Sequence, residues 1–262
     1  MVDDSDRVVG AERVLAALTE LADHPSGITL DEMAHRLKSS KSTVHRALAV
    51  LRRAGFAELM SRGVYVLGDE FLRLAFRNHA SRPDGLRIEP VLQELADRYG
   101  ETAHYAVLDG NEVVYRAKVD PPAGSVRLTS EIGGRNPAYR TGVGKMLLSL
   151  TIDSEKDLAT RLDGEELPRR TAKTITSVAA LWDELQVTRE RGYAVDDQEN
   201  EIGINCIAVP VRLDSDLGAI GAVSISALAF RTPLERLVAD EKSIRATVDE
   251  QLGRPGPSQA PH

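Results

Sequence analysis

Apolar residues recur at helical spacing in three successive stretches near the start of the chain and then give way to two short β-rich runs. Three helices followed by a hairpin are therefore predicted. Ala11, Val14, Leu15, Leu18, Leu21 and Ala22 form the apolar face of the first helix, which His24-Pro25-Ser26-Gly27 ends. Thr29-Leu30-Asp31-Glu32 has capping-box spacing, a hydroxyl at the N-cap and a carboxylate three residues later, and Leu30, Ala34 and Leu37 then share a face. Ser39-Ser40 break that pattern and offer a second N-cap. The helix they start runs from about Lys41 to Arg53, with Val44, Ala47, Leu48 and Leu51 at i, i+3, i+4 and i+7. Gly55 stops it, and the β-rich runs 56–59 and 64–67 flank a Ser61-Arg62-Gly63 tip.

Farther along, Phe71, Leu72, Ala75, Phe76 and His79 fit another helix, and Ser81-Arg82-Pro83-Asp84-Gly85 interrupts the chain where a domain boundary is expected. Beyond it helical and strand patterns mix. A helix is predicted over 86–99 (Ile88, Val91, Leu92, Leu95, Ala96), with strands at 103–108, 113–117 and 125–129, the first two joined by Asp109-Gly110-Asn111. Helices follow near 143–150, 155–162 and 178–191, then strands at 204–212 and 218–225. Thr232-Pro233 starts one long final helix. The expected class is α+β, a mainly antiparallel sheet with helices on one or both faces.

The face of the Lys41–Arg53 helix opposite its apolar stripe carries Ser42, His45, Arg46, Ala49 and Arg53. Such a face fits a major groove, where Arg forks onto guanine and small residues permit close approach. Capped helix, tight connection, basic helix and hairpin, in that order, make a winged helix-turn-helix pattern, a module for gripping duplex DNA. Lys41, Ser42, Thr43, His45, Arg46 and Arg53, with Arg62 at the hairpin tip, are the candidate DNA contacts. Charge sharpens this locally. Between Met33 and Gly68 seven Lys/Arg face Glu58 alone, a local net of +6, whereas the whole chain carries −7. Binding should therefore depend on one patch and weaken steeply with salt. A basic helix alone is more often a solvated surface; the flanking helix and hairpin are what favour DNA.

At 262 residues, with 42% hydrophobic and 28% charged content, the chain has material for two globular domains. Cys206 is the single cysteine, so neither an intrachain disulfide nor a multi-cysteine metal site is possible, as suits a reducing compartment. The acidic N-terminus has no apolar signal-like core, and no apolar run is long enough to span a bilayer. A cytoplasmic protein without a membrane partner is expected. Gly253-Arg254-Pro255-Gly256-Pro257-Ser258 opens a tail that reads as disordered.

Thr141-Gly142-Val143-Gly144 precedes an amphipathic helix. Open N–H groups at a helix start, beside glycines that let a ligand approach, form an anion site suited to a carboxylate. A phosphate loop is rejected, because Tyr139 occupies the first glycine position and Met146 replaces the magnesium-binding hydroxyl. Ser224 and Ser226 alternate within a strand and so face one side. No nucleophile elbow, zinc-protease motif or paired-cysteine motif is present, and the histidines are scattered, so no enzyme activity, metal or cofactor is expected. Two alternatives stay open at this level. One is a thiol-dependent hydrolase built on Cys206 with His104; the other is a winged-helix protein-interaction module without DNA binding.

Lys41-Ser42-Thr43-Val44-His45-Arg46, Thr141-Gly142-Val143-Gly144-Lys145 and Gly203-Ile204-Asn205-Cys206-Ile207-Ala208-Val209-Pro210-Val211, in order across roughly 10–252, resemble the IclR family of bacterial transcriptional regulators. The resemblance implies a winged helix-turn-helix over 8–68 and a dimerising linker helix over 69–84. It also implies a GAF-like effector-binding domain over 85–252, with 253–262 as the tail. It further implies homodimers or homotetramers on double-stranded operator DNA, with binding modulated by a small organic-acid or aromatic metabolite. Asp196, Ile204, Cys206, Ser224 and Ser226 are then expected to line the effector pocket with Gly142 and Val143, Leu128 supplying an apolar wall.

Overall fold

The structure, a computed structural model, describes residues 10–80, 83–121, 128–162, 167–213 and 220–252. It divides into two compact units between Arg82 and Pro83. The expected tail at 253–262 and the first nine residues lie outside the described residues.

The first unit contains α1 (Gly10–Asp23), β1 (Ile28–Thr29), α2 (Leu30–Arg36), α3 (Lys41–Arg53), β2 (Ala57–Leu59), β3 (Val64–Leu67) and α4 (Asp69–Ala80). Both caps form as the sequence requires. Glu32 N–H donates to Thr29 Oγ1 at 3.3 Å while Thr29 N–H donates to Glu32 Oε2 at 2.9 Å. Ser40 Oγ accepts from Thr43 N–H at 3.3 Å at the start of α3. The stripe Val44, Ala47, Leu48 and Leu51 is buried with Ala17, Leu21, Met33 and Tyr65 in one core. Gly55 sits at φ +78°, a left-handed conformation that releases the chain from α3 into β2. The wing has three strands in the order β1-β3-β2, and its tip, 61–63, is a 3-10 turn with Arg62 at φ +66°. The two-residue β1, paired through Ile28 with Tyr65, is too short for any periodicity to announce it.

The second unit begins with α5 (Pro83–Tyr99). Pro83-Asp84-Gly85 therefore open a helix rather than interrupt the chain, since proline's fixed φ and missing N–H suit a first helical turn. Then come β4 (Thr102–Asp109), β5 (Glu112–Val119), β6 (Arg135–Pro137), α6 (Gly142–Thr151), α7 (Glu155–Arg161), α8 (Val178–Arg191), β7 (Ala194–Asp197), β8 (Ile204–Arg212) and β9 (Ile220–Leu228). The final segment is two helices, α9 (Leu234–Ala239) and α10 (Glu241–Leu252), not the single one expected. Asp240 separates them, and its carbonyl accepts the first backbone bond of α10, from Ile244 N–H. Of the strand expected at 125–129, Leu128 and Thr129 are not in a strand, and the rest lies outside the described residues.

The six strands pair antiparallel throughout in the order β6-β5-β4-β9-β8-β7. Strand alternation sorts their side chains into two layers. Tyr105, Val107, Ile207, Val209, Val223 and Ile225 pack under α5, α9 and α10. Ala106, Ala208 and Ala222 face the opposite side, against Val143, Met146 and Leu147 of α6 and Leu181 and Leu185 of α8. The small residues on this second face let α6 lie close to the sheet. No helix among the described residues is long and apolar enough to cross a membrane.

Candidate functional site

In the first unit the face of α3 opposite the core is open to solvent. Ser42, His45, Arg46 and Arg53 are exposed and Ala49 is half-buried, a row at i, i+3, i+4, i+7 and i+11. Lys41 is exposed and pairs with Asp31 at 2.8 Å. Thr43 is half-buried, its Oγ1 2.8 Å from Ser40 Oγ, so it belongs to the cap of α3 as much as to the reading face. Arg62 is exposed at the tip of the wing. Helix and wing thus both present cations outward while the apolar stripe holds the helix in place.

In the second unit the sheet register builds a polar floor. His104 of β4 stands opposite Ser224 of β9, and Ser226 stands opposite Cys206 of β8, which stands opposite Asp196 of β7. All five project to the α6 side by the alternation described above. Together with the start of α6 they line a cavity of about 330 Å³. Leu128, Gly142, Val143, Asp196, Ile204, Cys206, Ser224 and Ser226, singled out from the sequence, all line it. Leu128 is placed through its backbone, because Lys118 Nζ donates to Leu128 O at 2.9 Å and to Ser130 O at 2.7 Å.

Thr141 caps α6 by accepting from Gly144 N–H at 3.1 Å, leaving the N–H groups of Gly142 and Val143 without a hydrogen bond among the described residues. These are the open donors expected at a helix start. Of the two glycines, Gly142 lines the cavity and Gly144 serves backbone packing. A Cβ on Gly144 would meet Ala138 O at 2.2 Å, and one on Gly142 would meet Cys206 Sγ at 3.1 Å. Lys145, one residue on, is buried and does not line the cavity; it forms an ion pair with Glu199 behind it.

His104, which the sequence had paired with Cys206 only in the hydrolase alternative, lines the cavity too, as do Tyr115, Ser130, Asn136, Arg140 and Asn200, which sequence reasoning had not gathered. His104 Nε2 lies 2.8 Å from Ser130 Oγ, and its ring centre 5.0 Å from that of Tyr115. Burial drives the His104 pKa down to about 3, so the ring is neutral, and pushes the Tyr115 phenol up to about 12. A polar alternation inside an otherwise apolar strand, His104 between Ala103 and Tyr105, was the available signal.

Burial likewise pushes the Cys206 thiol up to about 12. Ser226 Oγ stands between the supposed pair, 3.5 Å from Cys206 Sγ and 3.4 Å from His104 Nδ1. A thiolate-imidazolium nucleophile needs both shifts in the opposite direction, so the geometry does not support the hydrolase. Among the described residues no cluster of three His, Cys, Asp or Glu is arranged to hold a metal ion.

Asp196 is nine-tenths buried and lifted from 3.8 to about 7, chiefly by desolvation, despite accepting Glu199 N–H at 2.7 Å and Asn200 N–H at 3.3 Å through Oδ1. A carboxyl whose pKa is raised on folding holds its proton longer in the folded chain, so stability is lost as pH rises from the unfolded to the folded value. Asp196→Asn, which keeps a carbonyl acceptor for Glu199 N–H, should match the wild type near pH 4. Its thermal midpoint should then exceed the wild type's by a margin that grows up to about pH 7 and levels off above it. Melts across that range that show a constant margin would contradict this environment for Asp196.

Residues 10–59 match the IclR helix-turn-helix domain, and residues 86–251 match the bacterial transcriptional regulator IclR C-terminal family. The chain is 36% identical to the HTH-type transcriptional regulator KdgR of Escherichia coli (strain K12) over 90% of its length and 87% of that protein. It is 33% identical to the HTH-type transcriptional regulator XynR of the same organism, over 86% of this chain and 88% of that one. The crystal structure of the Thermotoga maritima IclR superposes with a TM-score of 0.72 at 29% identity, covering 93% of this chain and 98% of the other. An IclR homolog from Microbacterium hydrocarbonoxydans, complexed with 4-hydroxybenzoate, shares the fold with a TM-score of 0.79 at 24% identity over 93% and 99% of the two chains.

Proposed function

The chain belongs to the IclR family of bacterial transcriptional regulators, a family of DNA-binding proteins rather than enzymes, and from that premise we propose that a small carboxylic acid held beside α6 tunes its grip on an operator. The observation that carries this reading is the cavity itself. It places two open helix-start N–H groups, a neutral histidine and two serine hydroxyls around one space large enough for a metabolite. The Microbacterium relative, complexed with an aromatic hydroxy acid, supports the same chemistry for this chain.

DNA contact is assigned to Lys41, Ser42, Thr43, His45, Arg46 and Arg53 on α3 and to Arg62 on the wing. On this reading, 8–68 is the DNA-binding domain, 69–84 the linker and 85–252 the effector domain of a cytoplasmic regulator. Phe71, Leu72 and Phe76 of α4 are 39%, 48% and 68% exposed, an apolar surface that supports pairing with a second copy in a homodimer or homotetramer. Linkage requires the acid to favour either the DNA-competent or the incompetent arrangement, commonly by ~1–3 kcal/mol.

Fluorescence anisotropy titration of the protein with the intergenic DNA upstream of its own gene, with and without small carboxylic acids, tests the reading. An acid that shifts the midpoint roughly 5- to 150-fold supports it. Tight DNA binding that no carboxylate alters would leave the regulator without this sensor.

A further inference from the structure

The cavity contains a charged group that neither the sequence motifs nor the helix start accounts for, and what it implies rests on reading the cavity as an acid-binding site. Arg140 ends the 3-10 turn Ala138–Arg140, two residues before Gly142, and lines the cavity half-buried. Its Nε donates to Asn200 Oδ1 at 2.8 Å. Among the described residues, Nη1 and Nη2 make no hydrogen bond, and no carboxylate lies within 4 Å of the guanidinium.

Other arginines of this unit are used more completely. Arg189 donates from all three nitrogens, to Ser149 O, Gln186 Oε1 and Ile152 O. Arg231 forks onto both carboxylate oxygens of Glu101. A guanidinium that stays charged and is partly withdrawn from water costs free energy unless its donors find acceptors, and its planar fork matches a carboxylate. Asn200, which orients Arg140, also donates its N–H to Asp196 Oδ1, so one loop aims both charged groups at the cavity. Arg135 and Arg170 also line the cavity, but Arg135 is held by Asp109 and Glu112 and Arg170 is exposed to solvent, which leaves Arg140 as the partly buried guanidinium beside the start of α6.

We infer that Arg140 is the counter-ion of the effector carboxylate, gripping it through Nη1 and Nη2 beside the open N–H groups of Gly142 and Val143. The site accordingly selects a carboxylic acid over its uncharged amide.

Calorimetric titration of the full-length protein with two matched pairs, lactate against lactamide and 4-hydroxybenzoate against 4-hydroxybenzamide, tests this. The wild type should take an acid in preference to its amide. Arg140→Gln, which keeps a donor for Asn200, should lose acid affinity on the order of 10- to 100-fold while the amide is unaffected. Arg140→Lys, with the charge but not the fork, should fall between. Equal acid affinity in the wild type and both variants overturns the role of Arg140 and leaves the acid-binding cavity standing. A wild type that takes no acid removes both.

Discussion

Replacing Arg46 by alanine should weaken binding to operator DNA by ~1–3 kcal/mol, roughly 5- to 150-fold, with little change in stability. Arg46 is exposed on the solvent face of α3, next to Ser42 and His45, and its Nε leans back on Ser42 O at 3.3 Å. Its Nη atoms are therefore presented from a helix whose other face is fixed by Val44, Ala47, Leu48 and Leu51. Losing a bidentate contact to a guanine edge would relax specificity at one base pair rather than lower affinity uniformly. Surface substitutions of this kind usually alter stability by less than ~0.5 kcal/mol, so binding and folding separate cleanly. Anisotropy titrations against the operator and a single-base variant check the assignment. Affinities equal to wild type on both would move base reading away from Arg46.

Lys145→Ala should destabilise the second unit by ~3–5 kcal/mol, because it leaves the buried carboxylate of Glu199 without its cation. Lys145 is 1% exposed inside α6; it pairs with Glu199 and lies 3.8 Å from Glu184 Oε1, which also accepts from Arg191 Nη2 at 2.8 Å. Desolvation already raises the Glu199 pKa, with Lys145 the main opposing influence. The carbonyl of Glu199 is fastened by Thr174 Oγ1 at 2.7 Å, and its N–H by Asp196. The lysine thus anchors the loop that sets Asp196 and Asn200 against the cavity. The double substitution Lys145→Met with Glu199→Leu, which removes both charges and keeps volume, should recover most of the loss. Denaturant unfolding of the single and double variants checks this. A single variant as stable as the wild type would show that the pair is not the support described.

Local signals made the DNA-binding unit legible from the sequence. The Thr29–Glu32 capping box, the Ser40 cap, the apolar stripe of α3 and Gly55 each act within a few residues, and each stands where its spacing required. The effector unit was legible only in part, because its site is assembled across the sheet. Ser226 meets Cys206 and His104 through strand pairings that span 20 and 122 residues of chain, distances over which no periodicity carries information. Short edge strands escaped too. β6 is three residues ending in Pro137, and β7 carries two aspartates where apolar alternation would be sought. Glycines near α6 were visible, but their reason was not. Only the closeness of Ala138 O to Gly144 shows that backbone packing, not a ligand, excludes a side chain there.

Nuclease footprinting of the purified protein on the intergenic DNA upstream of its own gene tests most directly that α3 and the wing read an operator. Two protected patches on one face of the duplex, about 10 base pairs or a multiple apart and fading as salt rises, are the predicted result. No protected nucleotides anywhere in that region, at low salt and saturating protein, would contradict it.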